Sequence, residues 1–113
     1  MSNADLASLA QTLAPIFAAL GDPTRLSLLR RLSDGRMQSI ASLSSDSRLT
    51  RQAVTKHLHV LETVGLVRSS HVGRETQFAF QPDPLVEAKA YLDRVSAQWD
   101  DALGRLKAFV EGG

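Results

Sequence analysis

The sequence predicts a mainly α-helical fold with one small β-hairpin, in the order α-α-α-α-β-β-α. Three observations predict it. Apolar residues recur at three- and four-residue steps in several stretches, the helical period. Between Leu66 and Phe80 the period shortens to that of extended strands. Glycines, prolines and capping residues stand at the junctions. At 113 residues the chain is expected to form one domain. A chain of this size buries only about two-thirds of its unfolded surface, so dimerisation would help it.

The first helix is expected over Asp5 to Leu20, with Leu6, Leu9, Leu13, Ile16, Phe17 and Leu20 at helical spacing. Pro15 lies inside it and is expected to kink it or divide it, and Gly21 stops it. Asp22-Pro23 starts the second helix: Asp22 can cap free backbone N–H groups, and a proline at the first helical position loses nothing. Leu26, Leu29 and Leu32 follow along one face with Leu28 beside them, and Ser33-Asp34-Gly35 ends the helix.

Ser39 to Ser45 reads as a short third helix with Ile40 and Leu43 three apart, although four serines in seven residues are poor helix formers. Ser47-Arg48-Leu49 is the expected turn. Thr50 caps a fourth helix running to Val64, whose buried stripe is Val54, Leu58 and Leu61. Gly65 is a left-handed stop. The hairpin over Leu66 to Phe80 turns at Val72-Gly73-Arg74, and Gln81-Pro82-Asp83-Pro84 breaks it. A last helix runs from Pro84 to Glu111 with an apolar stripe of Leu85, Ala88, Leu92, Val95, Trp99, Leu103, Leu106 and Val110.

Composition closes off several function classes. Hydrophobic residues are 43% and charged residues 22%, ordinary for a globular protein. The absence of cysteine excludes a disulfide scaffold, a thiolate metal site, a cysteine nucleophile and a thiol switch. No apolar run approaches the ~20 residues that span a bilayer, so no membrane partner is expected. Met1 to Leu6 lacks the pattern of a secretory signal, and a cytoplasmic location is expected. No nucleophile-elbow serine, glycine-rich phosphate loop or His-Glu-x-x-His pattern is present, so no catalytic residue and no cofactor is assigned. The net charge of +1 divides unevenly: Leu20 to Phe80 holds nine Arg/Lys against five acids, while Gln81 to Gly113 holds four against six. A basic middle between acidic ends suits a nucleic-acid surface flanked by protein-contact helices.

A short helix, a tight turn and a longer helix with an inward Val/Leu/Leu stripe make a helix-turn-helix, and the hairpin after it makes a wing. Turning Val54, Leu58 and Leu61 inward leaves Gln52, Thr55, Lys56 and His59 outward, with Arg51 in the first turn. This face carries no acid and no large apolar residue; the helix's one acid, Glu62, lies near its far end. Gln pairs bidentately with adenine, and Arg or Lys with guanine. Thr50 and the free N–H groups at the helix start can hold a phosphate. His57 lies about 60–70° from the centre of the buried stripe and reads as packed and hydrogen-bonded rather than base-reading. At the hairpin tip, His71, Gly73 and Arg74 can reach a minor groove or a phosphate. Arg25 and Arg68 read equally as phosphate contacts or as ion-paired surface arginines.

At these residues the sequence resembles the ArsR/SmtB family of winged helix-turn-helix repressors. The resemblance rests on Leu20-Gly21-Asp22-Pro23-Thr24-Arg25-Leu26, on the run from Leu49 to Leu58, on Val60-Leu61-Glu62 and Gly65-Leu66-Val67-Arg68 in register, and on Gly73-Arg74 in the wing. It covers about Pro15 to Phe80. The long last helix with Trp99 is similar to a branch of the family without recognised metal ligands. The resemblance implies a homodimeric repressor binding an inverted repeat in double-stranded DNA, with residues 50–64 in the major groove and 66–80 as wing. It divides the chain into a DNA-binding core over 20–80 and dimerisation helices over 5–20 and 84–111. The dimer interface then falls on Leu6, Leu9, Leu13, Leu92, Val95, Trp99, Leu103 and Leu106, which agrees with two apolar stripes left without partners.

The sequence departs from the family in two places. The founding members sense metals through cysteines in the third helix or Asp/His/Glu sets in the last. Here Ser39 to Ser45 has no cysteine and the last helix has no histidine. Its carboxylates, Glu87, Asp93, Asp100 and Asp101, make a poor zinc site, so no metal site is expected. Arg48 stands where the family commonly has glycine: either the turn avoids positive φ, or Arg48 tolerates it with strain. A small-molecule effector, held near Gln38 to Ser45 or between helices, stays open. The competing reading is a winged-helix protein-interaction module without DNA binding; such a module would carry apolar residues where the fourth helix is polar.

Overall fold

Local signals set the first two helices. In the computed structural model, which describes residues 2–45 and 48–112, α1 spans Asn3–Leu20 and α2 spans Pro23–Leu32. The start of α1 is a capping box: the Ser2 hydroxyl accepts from the Asp5 N–H, and the Asp5 carboxylate accepts from the Ser2 N–H. Contrary to the expected division, α1 runs unbroken through Pro15. The missing N–H leaves only the carbonyl of the exposed Gln11 without its helical partner, while Leu13 and Ile16 anchor the helix on both sides. Asp22 caps α2 as expected, its carboxylate accepting from the Arg25 N–H at 3.0 Å, with Pro23 in the first turn. Between α1 and α2 the chain turns through 90°.

Next comes a strand that sequence reading does not anticipate. β1 is only Gln38–Ser39 and pairs antiparallel with β3, Gln38 opposite Phe78 and Ser39 opposite Gln77. The observed order is therefore α-α-β-α-α-β-β-α. Ser39 is in this strand and not in the third helix: its hydroxyl accepts from the Ser42 N–H at 3.1 Å and caps α3, Ile40–Ser45, from an extended backbone. Arg31 of α2 donates to the carbonyls of Leu43 and Ser42, at 2.8 and 3.0 Å, and holds the end of α3 against α2.

Thr50 caps α4, Arg51–Thr63, its hydroxyl accepting from the Ala53 N–H at 3.1 Å. Of the expected turn, Ser47 lies outside the described residues; Arg48 and Leu49 are described. No described non-glycine residue has positive φ, so at Arg48 the turn avoids the left-handed region. Gly65 has φ +80°, the Leu66 N–H donates to the Leu61 carbonyl at 2.9 Å, and the Gly65 N–H donates to the Glu62 carbonyl at 3.0 Å. That is the Schellman motif, with Leu61 and Leu66 both buried as its apolar contact.

β2, Val67–Val72, and β3, Glu75–Phe80, form the hairpin in register Val67 to Phe80 and Val72 to Glu75. The sheet order is β1-β3-β2. Its two-residue turn is Gly73-Arg74, with φ +63° at Gly73 and a negative φ at Arg74, the type II′ pattern. α5 spans Asp83–Gly112, about 45 Å of helix.

One core unites these elements: Leu13 and Ile16 of α1, Leu28, Leu29 and Leu32 of α2, Leu43 of α3, Val54, Leu58 and Leu61 of α4, Phe78 of the sheet and Ala88 of α5. α1 runs antiparallel along the first half of α5. The Phe17 and Tyr91 rings lie 6.1 Å apart near one end, and Gln98 donates to Asn3 at 3.3 Å near the other. Beyond that point α5 projects alone, giving the molecule a long dimension of 68 Å. Among the described residues no single helix is long and apolar enough to cross a membrane. The architecture is a winged helix-turn-helix: α3 and α4 are the paired helices, and β2–β3 is the wing.

Candidate nucleic-acid interface

The helical period dictates which side of α4 is free. Val54, Leu58 and Leu61 are 0% exposed. On the opposite side Arg51, Gln52, Lys56 and His59 are exposed, with Thr55 half-buried beside them. The Thr55 hydroxyl donates to the Arg51 carbonyl at 2.7 Å, so towards any ligand it presents an acceptor. Helix geometry leaves the Arg51 and Gln52 N–H groups without intrahelical acceptors, so they point out of the helix start.

Two hollows extend this face. Arg51, Gln52, Thr55 and Lys56 line a shallow groove of about 370 Å³ whose apolar wall is Ile40 of α3. A smaller cleft of about 150 Å³ lies between the helix start and the wing, with Arg51 on one side and Arg74, Glu75 and Thr76 on the other. The structure thus brings Arg74 of the wing tip to the same surface as Arg51. His71 is exposed one rung below the tip, its Nδ1 3.3 Å from the Thr76 hydroxyl across the hairpin. Thr50 is exposed at the helix start, its hydroxyl already engaged with the Ala53 N–H.

The acid of α4 is turned away from the groove. Glu62 accepts from the Ser69 hydroxyl at 2.5 Å. His59, 71% exposed, has its Nδ1 3.9 Å from the other Glu62 oxygen, so its ring sits at the distal edge of the polar face.

His57 is packed, as its angle on the helix predicts. Its Nδ1 lies 3.3 Å from Nη1 of Arg25 and 3.8 Å from the Asp22 carboxylate. Arg25 also reaches back to α1: Nε donates to the Ala19 carbonyl at 2.6 Å and Nη2 to the Ala18 carbonyl at 3.3 Å. The Arg25 N–H and then the Arg25 charge hold the Asp22 carboxyl below the usual carboxylate range, His57 adding to the effect and partial burial opposing it. Arg68 is exposed on β2.

The apolar stripes divide in a way the sequence does not reveal. Leu13, 1% exposed, and Leu6 are buried within the single chain, and Leu9 packs half-buried against the core. On α5, Val95 is half-buried while Leu92, Trp99, Leu103 and Leu106 are exposed, Trp99 at 68%. Phe109, 79% exposed, continues this face and was missed, although it follows Leu106 by three residues. Every described residue from 96 to 112 is exposed. Ile40 in the groove and Ser69 on Glu62 were also missed, the first because it read as core, the second because nothing local marks it.

No group of three or more His, Asp or Glu that could hold a metal occurs among the described residues. With no imidazole on α5 and no thiolate anywhere, the donor set does not fit the metal sites of the founding ArsR/SmtB members.

Comparison with known proteins gives three concordant results. A family model described as a helix-turn-helix domain matches residues 20–70. The chain is 41% identical to the HTH-type transcriptional regulator YuzN of Bacillus subtilis, over 62% of this chain and 83% of that protein. Among solved structures, it is similar to an ArsR-like transcriptional regulator from Rhodococcus sp. RHA1, with TM-score 0.74, 39% identity, and coverage of 88% of this chain and 92% of that one. It also matches the ArsR family transcriptional regulator RHA00566, with TM-score 0.73, 32% identity, and coverage of 80% and 92%.

Proposed function

This chain belongs to the ArsR/SmtB family of helix-turn-helix transcriptional regulators, and from that membership we propose that it is a metal-independent homodimeric repressor of an inverted-repeat operator. Members of this family bind DNA and regulate transcription; they are not enzymes. One observation carries the proposal: Arg51, Gln52, Lys56 and His59 stand free on α4 while its opposite face is wholly buried. In the proposed complex α4 enters the major groove. Gln52 and Lys56, flanked by Thr55 and His59, face base edges. The helix-start amides, Arg51 and Thr50 face a phosphate, and Arg74 with His71 follows the backbone into the minor groove.

The dimer half of the proposal rests on α5. Its outer part is exposed among the described residues, yet carries Trp99, Leu103, Leu106 and Phe109 on one side at three- and four-residue steps. An antiparallel or crossing contact with a second copy would bury that side. Two α4 helices would then meet one duplex at half-sites about one helical turn, or a multiple, apart. Repression follows from occupancy of such a site and requires no further surface. Metal independence is supported by the donor set, which offers carboxylates without imidazole or thiolate.

A gel shift of the purified protein on the DNA upstream of its own gene tests this reading, with a footprint to follow. The expected result is sequence-preferring, salt-sensitive binding that protects a two-fold symmetric site and is unchanged by a chelator. Binding that ignores sequence, or no binding, overturns it.

A further inference from the structure

We infer that Arg25 is a positioning residue: through His57 it ties the end of α1 to α4 and sets the bearing of the DNA-reading helix on the helix pair that carries the dimer face. The inference rests on the function proposed above and goes beyond it, since Arg25 and His57 are not among the groups proposed to face DNA.

The geometry is that of a strut with three attachments. Nε and Nη2 hold the Ala19 and Ala18 carbonyls, two of the last acceptors of α1. Nη1 reaches 3.3 Å to His57 Nδ1 in the middle of α4. The Arg25 backbone N–H is itself held by the Asp22 carboxylate, so the root of the side chain is fixed at the first turn of α2. A guanidinium only donates, so the strut requires a neutral His57 that accepts at Nδ1 and carries its proton on Nε2. His57 stands between Lys56 and Leu58, one helix position from a proposed base-reading residue. A planar cation with donors in three directions can serve all these acceptors together; an ammonium on a flexible stem cannot. α1 packs along α5, whose far half bears the unpartnered apolar side, so the strut joins the dimer scaffold to the reading helix by a polar route separate from the leucine core.

Three variants of the full chain test it: R25K, which keeps the charge; H57L, which removes the acceptor; and H57N, whose carboxamide oxygen sits near the place of Nδ1. Circular dichroism establishes which variants fold; if R25K does not, the two His57 variants carry the test. Binding is measured on the upstream duplex and on a scrambled duplex of equal length, across a salt series. R25K and H57L are expected to lose about tenfold in affinity for the upstream duplex. Their affinity for the scrambled duplex and their salt slopes stay unchanged, and H57N recovers the wild-type value. Unchanged upstream affinity in the folded variants, or no recovery in H57N, overturns the inference. A salt slope reduced by about one in R25M, a fourth variant that removes the charge, also overturns it, because it makes Arg25 a phosphate contact. Nitrogen NMR of the free protein reads the strut without DNA: the Nε2–H tautomer of His57, perturbed in R25K, is expected, and an Nδ1–H tautomer overturns it. If the wild-type protein fails to prefer the upstream duplex, the proposed function falls, and the tautomer measurement then decides the strut alone.

Discussion

The Glu62 carboxylate accepts a hydrogen bond from the Ser69 hydroxyl at 2.5 Å, joining the last turn of α4 to the first strand of the wing. One contact does two things. It draws the sole acid of the helix away from the cationic groove, and it fixes the wing root relative to the helix that it flanks. Replacing Ser69 by Ala frees that carboxylate beside His59, which lies 3.9 Å from it. S69A is expected to cost about 1 kcal/mol of stability or less, since both partners are solvent-accessible. DNA affinity is expected to fall several-fold, with the larger effect at low salt, where a freed negative charge is least screened. A thermal melt and a binding isotherm at two salt concentrations check both parts.

The groove and the wing tip make distinguishable contributions. In the proposed complex Gln52 and Lys56 face base edges, so Gln52→Ala and Lys56→Ala are each expected to lose about 1–3 kcal/mol of specific binding and to relax preference at one or two base pairs. Arg74, at the type II′ turn and lining the cleft beside Arg51, follows the phosphate backbone in the proposed complex. Arg74→Ala is expected to weaken binding to all sequences alike and to lower the salt slope by about one. A salt titration on matched and mismatched duplexes separates the two; equal effects of all three variants on every sequence would contradict the assignment of Gln52 and Lys56.

What the sequence made legible depended on range. Val54, Leu58 and Leu61 declare their face because the signal lies within eight residues, and the caps at Asp22 and Thr50 and the stop at Gly65 are equally local. Gln38 and Ser39 gave no sign of a strand: two polar residues have no alternation, and their pairing with Phe78 and Gln77 is made across the fold. Of the kink or division expected at Pro15, the division does not occur: whether a proline breaks a helix depends on whether the carbonyl it leaves unpartnered faces water, which local sequence does not state. The link from Arg25 to His57 spans 32 residues and was beyond any periodicity argument. The stripes of α1 and α5 looked alike as patterns, yet Leu13 closes the chain's own core while Trp99 remains outside it; only packing separates them.

That separation gives a direct contrast. In the proposed dimer, Trp99→Ala weakens association by about 2 kcal/mol or more, and Leu103→Glu, which sets a charge in the apolar side, gives a folded monomer. Leu13→Ala instead destabilises each chain by about 2–5 kcal/mol through a core cavity. Trp99 is the only tryptophan. Its emission is expected to shift to the red on dilution of the wild-type protein, in step with the sedimentation coefficient. Emission that does not change with concentration, alongside a sedimentation coefficient that does, would place the interface elsewhere.

Gly65 offers a test of the join between α4 and the wing. Its φ of +80° is strained for any residue with a Cβ, but an added Cβ would meet only Pro84 Cγ, at 3.5 Å, an ordinary contact. Gly65→Ala is therefore expected to cost about 1–2 kcal/mol from backbone strain, without a steric clash. Gly65→Asn is expected to cost less, because asparagine tolerates the left-handed region. Chemical denaturation of the two variants checks the order; Ala at or above the stability of Asn would mean that side-chain contact, and not φ, governs this position.

Asp22 carries the acid dependence of the α1–α2 corner. Its carboxyl titrates below the usual range in the folded chain, held there first by the Arg25 N–H and then by the Arg25 charge and His57. A carboxyl depressed by folding contributes stability that is present above its unfolded value, near 3.8, and lost as pH falls through the lower folded value. Asn at this position still accepts the capping hydrogen bond but has no charge to lose. Asp22→Asn is therefore expected to be less stable than wild type at neutral pH, with the gap narrowing as pH falls from about 5 towards 2. Melting temperatures of both proteins across that window, at constant ionic strength, measure the gap. A constant difference down to the acid end would show that the cap acts through its hydrogen bond alone and that the Asp22 charge does not help hold the corner where α1, Arg25 and His57 meet.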